Sequence, residues 1–117
     1  MTTKDFEKSI LALTLWQHHD KGMDVMIALG NTLFNQTKVW NKSWAQVLGG
    51  MTPTQYPDVR DPLFQHLLRK VDDIHGGGAQ DLSNGALYFA DPEDLATISK
   101  QQIITVCARV GGYTFYR

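Results

Sequence analysis

"SNGALYFADPED", residues 83–94, decides the fold class. Ser83-Asn84-Gly85 is a turn signal. "ALYFA" is short and aromatic, the kind of run that forms a strand. Asp91-Pro92, followed by Glu93 and Asp94, reads as a stop: a turn with a capping acid. A matching aromatic run, "RVGGYTFYR", occupies residues 109–117, directly after the β-branched "IITVCARV". Gly111-Gly112 between them supplies a tight hairpin. Strands are therefore expected near residues 86–90, 103–110 and 113–116. Alternate strand residues face opposite sides, so Leu87 and Tyr88 must point apart, as must Phe115 and Tyr116. A cleft beside the sheet receives one member of each pair.

Working back from this stretch, the pattern turns helical. Residues 4–17 carry Phe6, Ile10, Leu11 and Leu13 at helical spacing, with Thr2 or Thr3 as cap. Asp5 and Glu7 sit in the first turn, where negative charge suits the helix dipole. Residues 22–36 give the cleanest helix, through Met23, Met26, Ile27, Gly30, Leu33 and Phe34. A glycine inside a helix costs about 1 kcal/mol relative to alanine, so Gly30 points to a close neighbour. Ser43 caps a short helix that ends at Gly49-Gly50. "MTPTQYPDVRDP" holds three of the four prolines and reads as a loop. Asp61-Pro62 is an N-cap and first-turn pair opening a helix through Phe64, Leu67, Leu68 and Val71 to Gly76. Helices followed by strands make an α+β fold, a mainly helical body with a small antiparallel sheet near the C-terminus. One domain spans residues 1–117.

The 117 residues are 43% hydrophobic and 20% charged, a balance that argues for a packed core and against disorder. The net charge of −1, with scattered lysines and arginines, leaves no basic stripe, so no nucleic-acid partner is expected. Cys107 is the single cysteine; it excludes an intrachain disulfide and any cysteine-based zinc site, and reads as a small core residue. No apolar stretch approaches the roughly 20 residues of a membrane span. "MTTKDFEKSILALTLW" has early acids and no small-residue cleavage site, so synthesis in the cytoplasm without a signal peptide is expected.

Several pieces, in order, resemble one family. "NGALYFADPED" resembles the signature of the SleB-type cell wall hydrolases, the spore-cortex-lytic enzyme family, through Gly85, Ala86, Tyr88, Phe89 and Pro92. "RVGGYTFYR" resembles the family's ending through Val110, Gly111, Phe115, Tyr116 and Arg117. "LALTLWQHHDKGMDVMIALGNTLFNQ" is similar to its opening helix, acidic loop and second helix, and "KSWAQVL" to the segment after them. The resemblance implies a lysozyme-like fold and cleavage of peptidoglycan glycan strands, by a glycosidase or lytic transglycosylase reaction. It implies peptidoglycan as partner, no cofactor and no metal, and delivery to the cell wall by phage or by lysis, as for an endolysin or virion lysin.

The alignment also places the family's catalytic Glu on His18. Glycosidic cleavage needs a carboxylic acid with a raised pKa to protonate the leaving oxygen. The only glutamates, Glu7 and Glu93, fall about two helical turns too early and beyond the aromatic strand. Asp20 is the nearest carboxylate, so His18 and Asp20 are the catalytic candidates. Asn84, Gly85, Tyr88, Phe89 and Tyr113 are the candidates for holding substrate. Histidines of the family's aromatic strand and C-terminal run fall here on Tyr88 and Tyr113. The missing acid equally implies a degenerate member that binds glycan, or serves as a structural part, without cutting.

Plainer readings stand beside these. His18, His19 and Asp20 form a metal set only if a third ligand such as His66 or His75 joins them; loop histidines are usually solvated. Trp16 and Trp44 read as packing residues before sugar platforms. Lys70, Asp72 and Asp73 read as the wet face of their helix. "ADPED" lacks the alternating oxygen ligands of a calcium loop.

Overall fold

A computed structural model describes residues 2–117. Its elements run α1 (Thr3–Trp16), a short 3₁₀ turn (His19–Lys21), α2 (Met23–Val39), α3 (Trp44–Leu48), α4 (Pro62–Gly76), β1 (Tyr88–Ala90), α5 (Pro92–Gln101), β2 (Val106–Val110) and β3 (Tyr113–Tyr116).

The helix starts come from their caps. Thr2 Oγ1 accepts from the Asp5 N–H at 3.1 Å while the Asp5 carboxylate accepts from the Thr2 N–H at 3.3 Å, a reciprocal capping box. Ser43 and Gln46 repeat the device at α3. At α4 the Asp61 carboxylate accepts from the Phe64 N–H at 3.0 Å, and Pro62 fills the first helical position. Gly77 ends α4 at φ +79°, a left-handed cap that favours glycine.

Three helices build the core. Leu11, Ala12 and Leu15 of α1, Met26, Leu29 and Leu33 of α2, and Leu67, Val71 and Ile74 of α4 are all buried. They meet at Gly30, where an added Cβ would lie 3.0 Å from Ile74 Cδ1 and 3.2 Å from Leu15 Cδ1. The mid-helix glycine is thus a point of contact between helices. The buried stripe of α1 is rotated from the one expected. Phe6 is 58% exposed, and burial falls on Leu11 and Leu15, the side that meets α4.

The sheet is antiparallel in the order β1-β3-β2. Tyr88 pairs with Tyr116, Phe89 with Phe115 and Ala90 with Thr114. The β2–β3 hairpin turns at Gly111-Gly112, with φ of +57° and +87°, as a two-residue loop of the I′ class requires. A bulge between Val106 and Ala108 leaves Cys107 outside the ladder, half-buried against the core and not within it. The β2 ladder begins later than expected. Ile103 is fully exposed, and only Thr105 exchanges backbone bonds with Arg117, at 2.8 and 2.9 Å.

One element departs from the sequence reading. Asp91-Pro92 opens α5 and does not close a turn. The Asp91 carboxylate accepts from the Asp94 N–H at 2.8 Å and Pro92 takes the first helical position. The order is therefore helices, strand, helix, hairpin, still an α+β arrangement. Among the described residues no helix is long and apolar enough to cross a membrane.

Candidate functional site

α1 ends at Trp16 and hands the chain to a tight turn, so His18 leaves the helix at the edge of the core. Beside it lies a groove of about 270 Å³. Its floor is apolar, made by Leu15 of α1, Leu29 and Leu33 of α2, Met51 and Phe89. Its rim is polar, made by Thr14, Gln17, His18, Thr52 and Thr54. Among the described residues no carboxylate lines it.

His18 stands against two aromatic rings of the sheet. Phe89 and Tyr113 each meet it edge-on, with ring centroids 6.0 Å away. The Tyr113 hydroxyl is 3.5 Å from His18 Nδ1, a long contact at the limit of a hydrogen bond. Burial pushes the His18 pKa below its ordinary value; Asp20 opposes that shift and Lys21 adds to it. The imidazole is therefore neutral at neutral pH. Burial raises the Tyr113 phenol, helped by the charges of Asp91, Asp20 and Asp94, so it stays protonated and able to donate to the imidazole lone pair.

The wall that carries Phe89 is fixed from α2. Asn35 Nδ2 donates to the Asp81 carboxylate at 3.0 Å, to Ser83 Oγ at 3.3 Å and to the Ala86 carbonyl at 3.0 Å. Asn31 Oδ1 accepts from the Leu82 N–H at 2.9 Å, and Gln36 Nε2 donates to the Leu87 carbonyl at 2.8 Å. Asp81 in turn accepts from the N–H groups of Ser83 and Gly85 and from the Ser83 hydroxyl. Desolvation pulls its pKa up, but these bonds from Ser83, Asn35 and Gly85 outweigh it and leave the carboxyl below its ordinary value. This clasp, residues 81–87, delivers β1 to the groove.

Other sequence candidates lie elsewhere. Asp20 is exposed, 3.9 Å from Lys21 Nζ and outside the groove lining. Asn84 and Gly85 sit in the clasp at φ +54° and +84°, where Asn84 Nδ2 donates to the Cys107 carbonyl at 3.3 Å. Tyr88, a neighbour of Phe89 in the strand, faces the other way. It stacks on Tyr116 at 5.4 Å and meets Trp40 at 5.7 Å. His19 also turns aside, donating from Nδ1 to the Trp16 carbonyl at 2.9 Å and stacking on the indole at 4.1 Å. His75 pairs with Glu7 at 3.0 Å under the Trp44 ring, a bridge between α1 and α4. Glu7 lies about 13 Å along α1 before its last residue, Trp16, and so well before His18. Among the described residues no three His, Cys, Asp or Glu side chains are grouped to hold a metal.

Gln17 is the site residue that the sequence pattern does not reveal. Its Nε2 donates to the Gln55 carbonyl at 2.8 Å and the Leu13 carbonyl at 3.0 Å. Its Oε1 accepts from the Thr54 and Gln55 N–H groups at 3.1 and 3.0 Å. The prolines at 53 and 57 mark the segment it holds as an extended loop, but nothing in sequence pairs that loop with Gln17. No protein-family model matches this chain, and no curated protein or solved structure matches it significantly.

Proposed function

We propose that this chain is a lysozyme-like, SleB-type cell wall protein that holds peptidoglycan glycan strands in the His18 groove without cutting them. The reading rests on one observation: the groove presents His18 against Phe89 and Tyr113, and among the described residues no carboxylate lines it. Protonating a glycosidic oxygen takes a carboxylic acid held neutral until the reaction. A histidine whose pKa is lowered by burial lacks the acidic imidazolium form at neutral pH, and the N–H of the neutral ring is too weak an acid for that step. With Tyr113 donating to Nδ1, the His18 Nε2–H is suited to donating a hydrogen bond to a sugar oxygen, with Thr14, Thr52 and Thr54 as further polar contacts and the floor taking an apolar face. The protein acts at the wall once phage or lysis delivers it.

A second reading keeps the hydrolase, with Asp20 as acid. It is favoured by the effect of the Asp20 charge on both His18 and Tyr113, which keeps that carboxylate within electrostatic reach of the groove. Zymography on purified peptidoglycan separates the two. The wild-type protein and Asp20→Asn are expected to leave the gel uncleared. His18→Glu is expected to clear it, because a restored general acid contributes about 10²–10⁴-fold. Clearing by wild type that disappears in Asp20→Asn hands the site to the hydrolase.

A further inference from the structure

We infer that residues 51–57 form a strap across the mouth of the His18 groove, and that Gln17 is the positioning residue that keeps it shut. The inference rests on this groove being the ligand site, but its test needs no glycan. Met51, Thr52 and Thr54 of the strap line the groove together with Phe89. Under them lie Leu15, Leu29 and Leu33, none more than 2% exposed. These leucines also pack in the helical core, so the faces that a moving strap uncovers are those beneath Met51, Thr52 and Thr54.

The strap is free to move. It belongs to no helix or strand. Among the described residues, every hydrogen bond from residues 52–57 to the rest of the chain ends on Gln17. The nearest backbone tethers lie at its edges, from the Met51 N–H to the Leu48 carbonyl at 3.0 Å and from the Asp61 N–H to the Asp58 carbonyl at 2.9 Å. Pro53 and Pro57 fix their own φ and keep the preceding Thr52 and Tyr56 extended, so the strap moves as a stiff piece. Gly50 at its upstream end has open space where a Cβ would stand, which suits a pivot.

The latch itself is reciprocal. Gln17 donates to the Gln55 carbonyl and accepts from the Gln55 N–H, so one side-chain amide closes on one residue's backbone in both directions. The adjacent Thr54 N–H shares the same acceptor. Rotation of this single side chain frees all of these bonds together. Because Gln17 precedes His18, the latch opens where the imidazole waits.

Amide hydrogen exchange read residue by residue by NMR tests this. Gln17→Met keeps the side-chain length and removes every latch bond. It is expected to speed exchange at Thr54 and Gln55 by about tenfold, while β3 and α2 amides stay unchanged. Gln17→Glu keeps the acceptor and loses the donor, so its exchange at the two amides should fall between wild type and Gln17→Met. Gln17→Met should also take up the dye ANS, which binds exposed apolar surface. The latch is overturned by unprotected Thr54 and Gln55 amides in wild type, by unchanged exchange in Gln17→Met, or by acceleration spread evenly through β3. Unchanged dye uptake with a released strap overturns its role as the gate.

Discussion

Two irregular segments serve the same groove, one by lining it and one by delivering Phe89 to it, and they are held in opposite ways. The clasp, residues 81–87, is gripped by Asn31, Asn35 and Gln36 from α2 and wraps its own carboxylate, Asp81. The strap, residues 51–57, is gripped beyond its first residue by Gln17, the Met51 N–H being tied to the Leu48 carbonyl. Neither segment has regular structure beyond turns, so lack of secondary structure does not make a segment mobile. The number of its backbone polar groups paired with rigid elements decides that. The clasp lies outside the groove lining and fixes Phe89, which is part of it. The strap makes a wall that one rotamer releases.

The comparison breaks first at Asn35. Its amide serves three acceptors, so Asn35→Leu is expected to cost about 2–4 kcal/mol in urea unfolding, through three lost hydrogen bonds, two of them half-buried. A cost under about 1 kcal/mol would erase the difference between the two segments.

Next in size is the acid limb of the clasp. The Asp81 carboxyl titrates below its ordinary value of 3.8 in the folded protein. Its contribution is therefore present above that value and lost as pH falls through the lower folded pKa. Asp81→Asn should flatten this part of the stability-versus-pH curve below about pH 4. An unaltered acid limb would show that the carboxylate is not clamped. The smallest global effect belongs to the strap. Gln17→Met should lower overall stability by less than about 1 kcal/mol, since the strap opens without the core. A loss as large as that of Asn35→Leu would make the strap part of the folding unit.

The sequence carried most of the helical body, because caps and apolar spacing are local signals. Thr2, Ser43 and Asp61-Pro62 all cap where expected. The Gly111-Gly112 hairpin was equally plain, since two positive φ values leave glycine little competition. α5 was not legible, although Asp91-Pro92 repeats the Asp61-Pro62 signal. The two helices differ in their buried faces. α4 buries Leu67, Val71 and Ile74, whereas α5 buries no residue and so shows no stripe to read. In the site, the meeting of His18 with Phe89 and Tyr113 came from a resemblance and from no local pattern. Strand alternation set Tyr88 apart from Leu87 in the sequence, and only the fold shows that Phe89 faces the groove and Tyr88 does not. The Gln17 latch joins residues 37 and 38 positions apart, beyond the reach of any local rule.

Co-sedimentation of the wild-type protein with purified peptidoglycan, with the supernatant assayed for released muropeptides and reducing ends, tests the central claim most directly. The account predicts that the protein pellets with the wall material, that Phe89→Ala weakens this, and that nothing soluble is released. Protein left in the supernatant, or glycan fragments released by the wild type, would contradict it.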